Sequence, residues 1–137
     1  MNLNAYLFFD GNCEAAFTFY AECLGGDVQA LLRYSESPEG PPPAEADRDR
    51  IMHGCIRIGE QVLMGTDCSN GEPYAGIQGC SLTLSVDSVE QAERLFAALG
   101  QGGQVQMPLE KTFWAERFGV VVDRFGVSWM INYAPMG

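Results

Sequence analysis

Few residues of this chain could carry covalent chemistry. There is one histidine, His53, and there are five cysteines, Cys13, Cys23, Cys55, Cys68 and Cys80. His53 begins a strand-like stretch next to Gly54, where it could serve as a general base or hydrogen-bond a ligand; the competing reading is a structural or surface histidine. It is also the only imidazole able to activate a thiol. The cysteine count is odd and holds no C-x-x-C pair, so reduced thiols in the cytoplasm are expected. No Ser-His-Asp arrangement, nucleophile elbow, phosphate-binding loop or zinc-finger spacing is legible.

Binding chemistry is better represented. Phe113, Trp114, Phe118, Phe125 and Trp129 crowd into one segment, a density that suits a core or a pocket. Phe113 and Trp114 fall on a loop between strands, where they could cover or line a cleft. Phe125 and Trp129 fall in the last hairpin and read as turn and core packing. Asp67 ends a strand with Cys68 and could face a cleft mouth. Asp10 and Asp123 read as turn residues, and Glu116 and Arg117 as a solvated strand end.

The elements that must position these residues follow a regular order. Residues 3–9 predict a strand, Asn12 a helix N-cap, and Cys13, Ala16, Phe17, Tyr20 and Leu24 a helical apolar face closed by Gly25-Gly26. A strand over 28–34 leads into a mobile, solvated Pro- and acid-rich loop over 35–50. Residues 51–58 and 61–66 predict a hairpin. After a polar connection over 69–79 the order restarts, with a strand over 81–86 and a helix capped by Asp87 or Ser88, with Glu90 placed for a capping box. Ala92, Leu95, Phe96 and Leu99 mark its apolar face. A strand over 104–109 and a hairpin of 118–123 and 128–133 complete it. Phe17, Tyr20 and Leu24 recur as Ala92, Leu95 and Leu99, shifted by 75 positions, which points to an internal duplication.

The expected fold class is therefore α+β: tandem βαβββ modules, 1–68 and 80–137, within one domain, joined by the connection 69–79. Each module alone leaves the inner face of its sheet uncovered, so the two are expected to pair as a curved, incomplete barrel with a small-molecule cleft. The net charge of −10 repels nucleic acid and anionic membranes. No apolar run has the length of a membrane span and the first residues do not form a signal peptide.

Four motifs in this order carry a family resemblance: Phe9-Asp-Gly-Asn-Cys-Glu-Ala-Ala-Phe-Thr-Phe-Tyr20, His53-Gly-Cys-Ile-Arg-Ile-Gly59, Thr112-Phe-Trp-Ala-Glu-Arg-Phe-Gly119 and Asp123-Arg-Phe-Gly-Val-Ser-Trp-Met-Ile-Asn132. They resemble the PhnB-like branch of the vicinal oxygen chelate superfamily, which includes glyoxalase I, extradiol dioxygenases and the bleomycin and fosfomycin resistance proteins. The resemblance implies the glyoxalase/bleomycin resistance/dihydroxybiphenyl dioxygenase-like fold and a homodimer. Members of this branch carry the name 3-demethylubiquinone-9 3-methyltransferase. The chain has neither the glycine-rich loop nor the βαβ order of the usual methyltransferases, so that activity is not expected.

Superfamily enzymes hold a divalent metal with His and Glu side chains. The resemblance puts those positions near Ala5, Met64, Ser81 and Met130, a set that does not suit such an ion. No metal and no cofactor are expected. Met64 and Met130 would instead give a soft apolar floor, or simply fill the core. The expected ligand-binding set is Tyr6, His53, Met64, Asp67, Phe113, Trp114, Phe118 and Met130, with His53 the one weak catalytic candidate. Three functions stay open: a metal-free binder of a small hydrophobic or aromatic molecule, a metal-dependent lyase, isomerase or oxygenase, and a non-catalytic regulatory or interaction module.

Overall fold

The structure is a computed structural model that describes residues 1–37, 40, 42–69 and 73–134. Parts of the expected proline-rich loop (38, 39 and 41), of the connection (70–72) and of the C-terminal module (135–137) lie outside the described residues. The chain divides into two compact units, Met1–Ile77 and Gln78–Gly137.

In the first unit, β1 (Tyr6–Phe9), α1 (Cys13–Leu24), β2 (Asp27–Arg33), β3 (Ile51–Ile58) and β4 (Gln61–Asp67) follow one another. The sheet order is β1-β4-β3-β2. β1 runs parallel to β4, with Tyr6 opposite Met64 and Phe9 opposite Asp67. The β2–β3 and β3–β4 pairs are antiparallel. Alternation then decides the faces. Leu7 and Phe9 are buried against α1, whereas Tyr6 and Phe8 are exposed on the other side. Helix α1 buries Cys13, Ala16, Phe17, Tyr20 and Ala21. Phe17 reaches the sheet because the facing partners Gly54 and Gly65 leave room for it. A β-carbon on Gly65 would stand 2.8 Å from the Phe17 ring.

The second unit repeats this order with β5 (Leu82–Ser85), α2 (Val89–Gly100), β6 (Gln104–Glu110), β7 (Arg117–Val122) and β8 (Ser128–Tyr133). Its sheet order, β5-β8-β7-β6, is that of the first unit strand for strand. Trp129 and Ile131 are buried, and Ala92, Leu95 and Leu99 of α2 are buried with them. Gly119 has the same task as Gly65: a β-carbon there would come within 2.6 Å of Phe96. The repeat read from helical spacing is thus a repeat of topology. Both sheets are open, and the fold is α+β.

Several local expectations are corrected or refined. Asn12 occupies the N-cap of α1, but its side chain makes no capping bond. The cap comes from β4, where Asp67 Oδ1 accepts from the N–H groups of Gly11 at 2.9 Å and Cys13 at 3.0 Å. In α2 the capping partner is Gln91, not Glu90. Ser88 accepts from the Gln91 N–H, and the Gln91 side chain accepts from Asp87 N–H. The 35–50 segment is exposed at most of its described residues, as its composition implies, but it is not without structure. It contains two 3-10 turns, Tyr34–Glu36 and Glu45–Asp47, with Asp47 buried. Tyr34 ties it down by donating to the Asp67 carbonyl at 2.8 Å. β1 begins at Tyr6 rather than residue 3, since parallel pairing with β4 starts at Met64.

Asp67 Oδ2 also accepts from Ile51 N–H at 2.8 Å. One carboxylate therefore holds the turn after β1, the start of α1 and the start of β3. Replacing Asp67 with Ala strands three backbone donors, and we expect unfolding free energy to fall by about 3–5 kcal/mol. Urea denaturation checks this; a loss below about 1 kcal/mol contradicts the assignment.

Candidate functional site

In the first unit, the sheet face turned away from α1 carries Tyr6 and Phe8 from β1, Met64 from β4, and His53 and Cys55 from β3. The assignment follows from burial on the α1 side of Leu7, Phe9, Gly54, Ile56, Leu63 and Gly65. Cys55 is the cross-strand partner of Met64, and Leu32 is that of His53. Tyr6 is 40% exposed, Phe8 52% and Leu32 45%. Apolar side chains are thus offered to solvent where a sheet face usually carries polar ones.

The polar chemistry of this face is concentrated in one contact. Tyr6 Oη lies 3.0 Å from His53 Nδ1, and the rings meet at a centroid distance of 5.8 Å. Partial burial, then the charges of Cys13 and Tyr34, push the Tyr6 hydroxyl above its ordinary value, so it stays protonated at neutral pH. If Tyr6 donates to Nδ1, the imidazole keeps its proton on Nε2. If Nδ1–H donates, the phenol keeps its own. In either tautomer the pair retains one donor for a third group.

Asp67 does not take part. It is 1% exposed and its two oxygens accept from the backbone of Gly11, Cys13 and Ile51. The expectation that it faces a cleft mouth is corrected, because a carboxylate sealed around backbone donors has nothing to offer a ligand. Asp123, expected to serve a turn, does so. Its Oδ1 accepts from Phe125 and Val127 N–H, and its Oδ2 from the Trp129 indole at 2.8 Å. Trp129 is core, and Phe125 lies under the Arg124 guanidinium at 4.7 Å in the turn.

The second unit gathers Phe113, Trp114 and Phe118. Phe113 and Trp114 are 4.8 Å apart at 83°, and Trp114 and Phe118 are 5.3 Å apart at 65°. Both contacts are edge-on, the arrangement that the ring quadrupoles favour. Phe113 is 98% exposed and Trp114 49%. The loop that holds them is braced internally, with Ala115 N–H donating to Thr112 Oγ1 and Thr112 N–H to the Ala115 carbonyl. From Phe118 the series continues onto the sheet face away from α2. Phe118 is the cross-strand partner of Asn132, and Val120 of Met130. Met130 and Asn132 lie two apart on β8 and share that face, half-buried.

In the sequence Asn132 has no role beyond closing the final motif. Its Oδ1 is buried and has no hydrogen-bond partner among the described residues. Alternation with Met130 is the one signal in the sequence that places it on this face; nothing local announces the orphaned oxygen.

The metal positions implied by the superfamily do not fit a divalent ion in either unit. Ala5 contributes only its carbonyl to Met64 N–H, and Met64 is paired with Tyr6. Ser81 Oγ is 2.7 Å from Ser128 Oγ, and Met130 is paired with Thr83. Thioethers and hydroxyls are poor ligands for such ions. Among the described residues no three His, Cys, Asp or Glu side chains converge. None of the five cysteines is in a disulfide, and Cys13 is an inert thiol, pushed up to about 12 by burial and then by the charges of Asp67 and Glu14.

Two βαβββ units with one helix on each sheet, and exposed aromatic side chains on the sheet and loops, define a glyoxalase-like α+β protein. The family model of the Glyoxalase/Bleomycin resistance protein/Dioxygenase superfamily matches residues 2–131. The chain belongs to that superfamily. Among curated proteins it is 34% identical to protein YjdN of Escherichia coli, covering 96% of this chain and 95% of that one. Among solved structures it is 49% identical to protein PA1353 of Pseudomonas aeruginosa, with a TM-score of 0.92 and 98% of each chain covered. A PhnB protein of Bacillus cereus shares the fold at 24% identity and a TM-score of 0.82, over 98% of this chain and all of that one. No helix among the described residues is long and apolar enough to cross a membrane.

Replacing Tyr6 with Phe removes the hydroxyl at His53 while keeping the ring. The site is open to solvent, so stability is expected to change by no more than about 1 kcal/mol. The imidazole nitrogen shifts of His53, read by NMR, should move toward those of a free ring. Unchanged shifts would show that the contact is not formed in solution.

Proposed function

We propose that this protein binds a small aromatic or hydrophobic molecule without a metal, and that the second unit holds the ligand against Trp114 and Phe118. One observation carries the reading: the edge-on series Phe113–Trp114–Phe118 leads from full exposure to a half-buried sheet face bearing Met130. Three rings joined by two edge-to-face contacts use two ring faces between them and leave others available for stacking. Methionine beside them supplies a polarizable, adaptable surface. A large aromatic loses free energy by standing in water, so exposure on a braced loop favours a ligand that covers it. In the first unit, the apolar face around Tyr6, His53 and Met64 supports the same class of ligand.

The probe for this reading is 2-naphthol, a planar aromatic of modest size. Calorimetric titration of the wild-type protein is expected to give saturable binding. Trp114→Ala should weaken it about tenfold, the effect of losing one ring contact and its area. Its thermal midpoint should stay close to wild type, since Trp114 is half exposed. Equal affinities for the variant and the wild type would remove Trp114 from the site.

The same reading includes a homodimer. Beyond the aromatic loop, Tyr6, Phe8, Leu32, Val105 and Met107 are exposed apolar residues on strands, and a second copy would cover such surface. Light scattering at micromolar concentration is expected to give the mass of two 15.0 kDa chains. The mass of one chain would contradict this part of the proposal.

A further inference from the structure

We infer that Asn132 is the polar anchor of the ligand site in the second unit, and that the ligand is an aromatic molecule bearing a hydrogen-bond donor, such as a phenolic hydroxyl or a ring N–H. The inference rests on the small-molecule reading above and specifies its chemistry. Asn132 Oδ1 is a buried acceptor with no partner among the described residues. Such an atom has given up the hydrogen bonds it would make with water, so a fold that retains it calls for a reason.

Its position supplies one. The neighbouring residues across β8 are Ser85 on β5 and Phe118 on β7. Phe118 is the inner member of the aromatic series, 5.3 Å from Trp114. A planar ligand stacked in that series would therefore bring its edge to the carboxamide. The carbonyl oxygen is an acceptor with two lone pairs, so the complementary group is a donor. A molecule that offers only apolar edge or acceptor atoms leaves the oxygen unsatisfied, and this is how one polar group in an apolar site selects a ligand. Since the oxygen is sealed before binding, an arriving ligand must displace part of what covers it, and the Phe118 ring stands next to it on the sheet.

The test uses two probes of nearly equal shape, 2-naphthol and 2-methoxynaphthalene, which lacks the O–H. Calorimetric titration of the wild-type protein is expected to favour 2-naphthol at least tenfold. Asn132→Leu keeps the side-chain volume and removes the amide; in it the two affinities should become equal. The same variant should melt at a higher temperature than wild type, because an unsatisfied acceptor has been exchanged for a methyl group. If that variant does not fold, Asn132→Ala provides the same comparison of affinities. Equal affinities of both probes for the wild-type protein would overturn the inference while leaving the aromatic site standing; the oxygen would then be satisfied by water only. A preference for 2-naphthol that persists in the variants would overturn it too. Binding of neither probe would sink the small-molecule reading and this inference with it.

Discussion

The first unit depends on one buried carboxylate. Asp67 closes β4 and gathers the N–H groups of Gly11, Cys13 and Ile51. Those donors belong to the turn after β1, the first turn of α1 and the first residue of β3. A helix start leaves N–H groups without intrahelical partners, and a buried start needs an acceptor. Asn12, the local residue suited to the task, does not supply one. The end of a distant strand does, so the start of this helix is capped from the sheet. Asp123 acts similarly in the second unit, joining the β7–β8 turn to the Trp129 indole in the core.

Fixing one helix against one face of each sheet leaves the other face to be filled differently. On the helix side, glycines admit the rings of Phe17 and Phe96, and packing is close. On the other side stand Tyr6, Phe8, His53 and Met64 in the first unit, and Phe118, Met130 and Asn132 in the second. These faces are apolar with a few isolated polar atoms, which is the composition of ligand sites rather than of solvated sheets. The polar atoms are of two kinds. The Tyr6–His53 pair satisfies itself and keeps a donor to spare. Asn132 offers an acceptor.

Much of the fold was legible in the residues. The helices announce themselves through Phe17, Tyr20, Leu95 and Leu99 at helical spacing, and Gly25, in the left-handed conformation at φ 69°, stops the first one. The βαβββ element order of each unit was legible too, whereas the sheet order β1-β4-β3-β2 is seen only in the folded chain. The long-range contacts were not legible. Asp67 and Cys13 are 54 positions apart, and Tyr6 and His53 are 47 apart. No local pattern links such pairs, because register across parallel β1 and β4 decides whether they meet. This is why Asp67 reads from the sequence as a candidate for a ligand when the fold uses it as a cap. The aromatic loop was visible from composition, but the exposure of Phe113 and Trp114 required the three-dimensional chain. Asn132 reads as the last letter of a hairpin motif, and only the folded chain shows its oxygen without a partner among the described residues.

The chain's membership of the glyoxalase/bleomycin resistance/dioxygenase superfamily brings a scaffold, not an activity. The resemblance implies metal-ligand positions near Ala5, Met64, Ser81 and Met130, residue types that do not suit a divalent ion. That set agrees with reading the protein as a binder, a reading carried by the aromatic series from Phe113 to Phe118. The most direct measurement is a crystal structure of the protein soaked with 2-naphthol. The account predicts the naphthalene ring against Trp114 and Phe118, with its hydroxyl in hydrogen-bond contact with Asn132 Oδ1. A ring bound elsewhere, or a fully occupied metal ion held by side chains of the protein in its place, would contradict it.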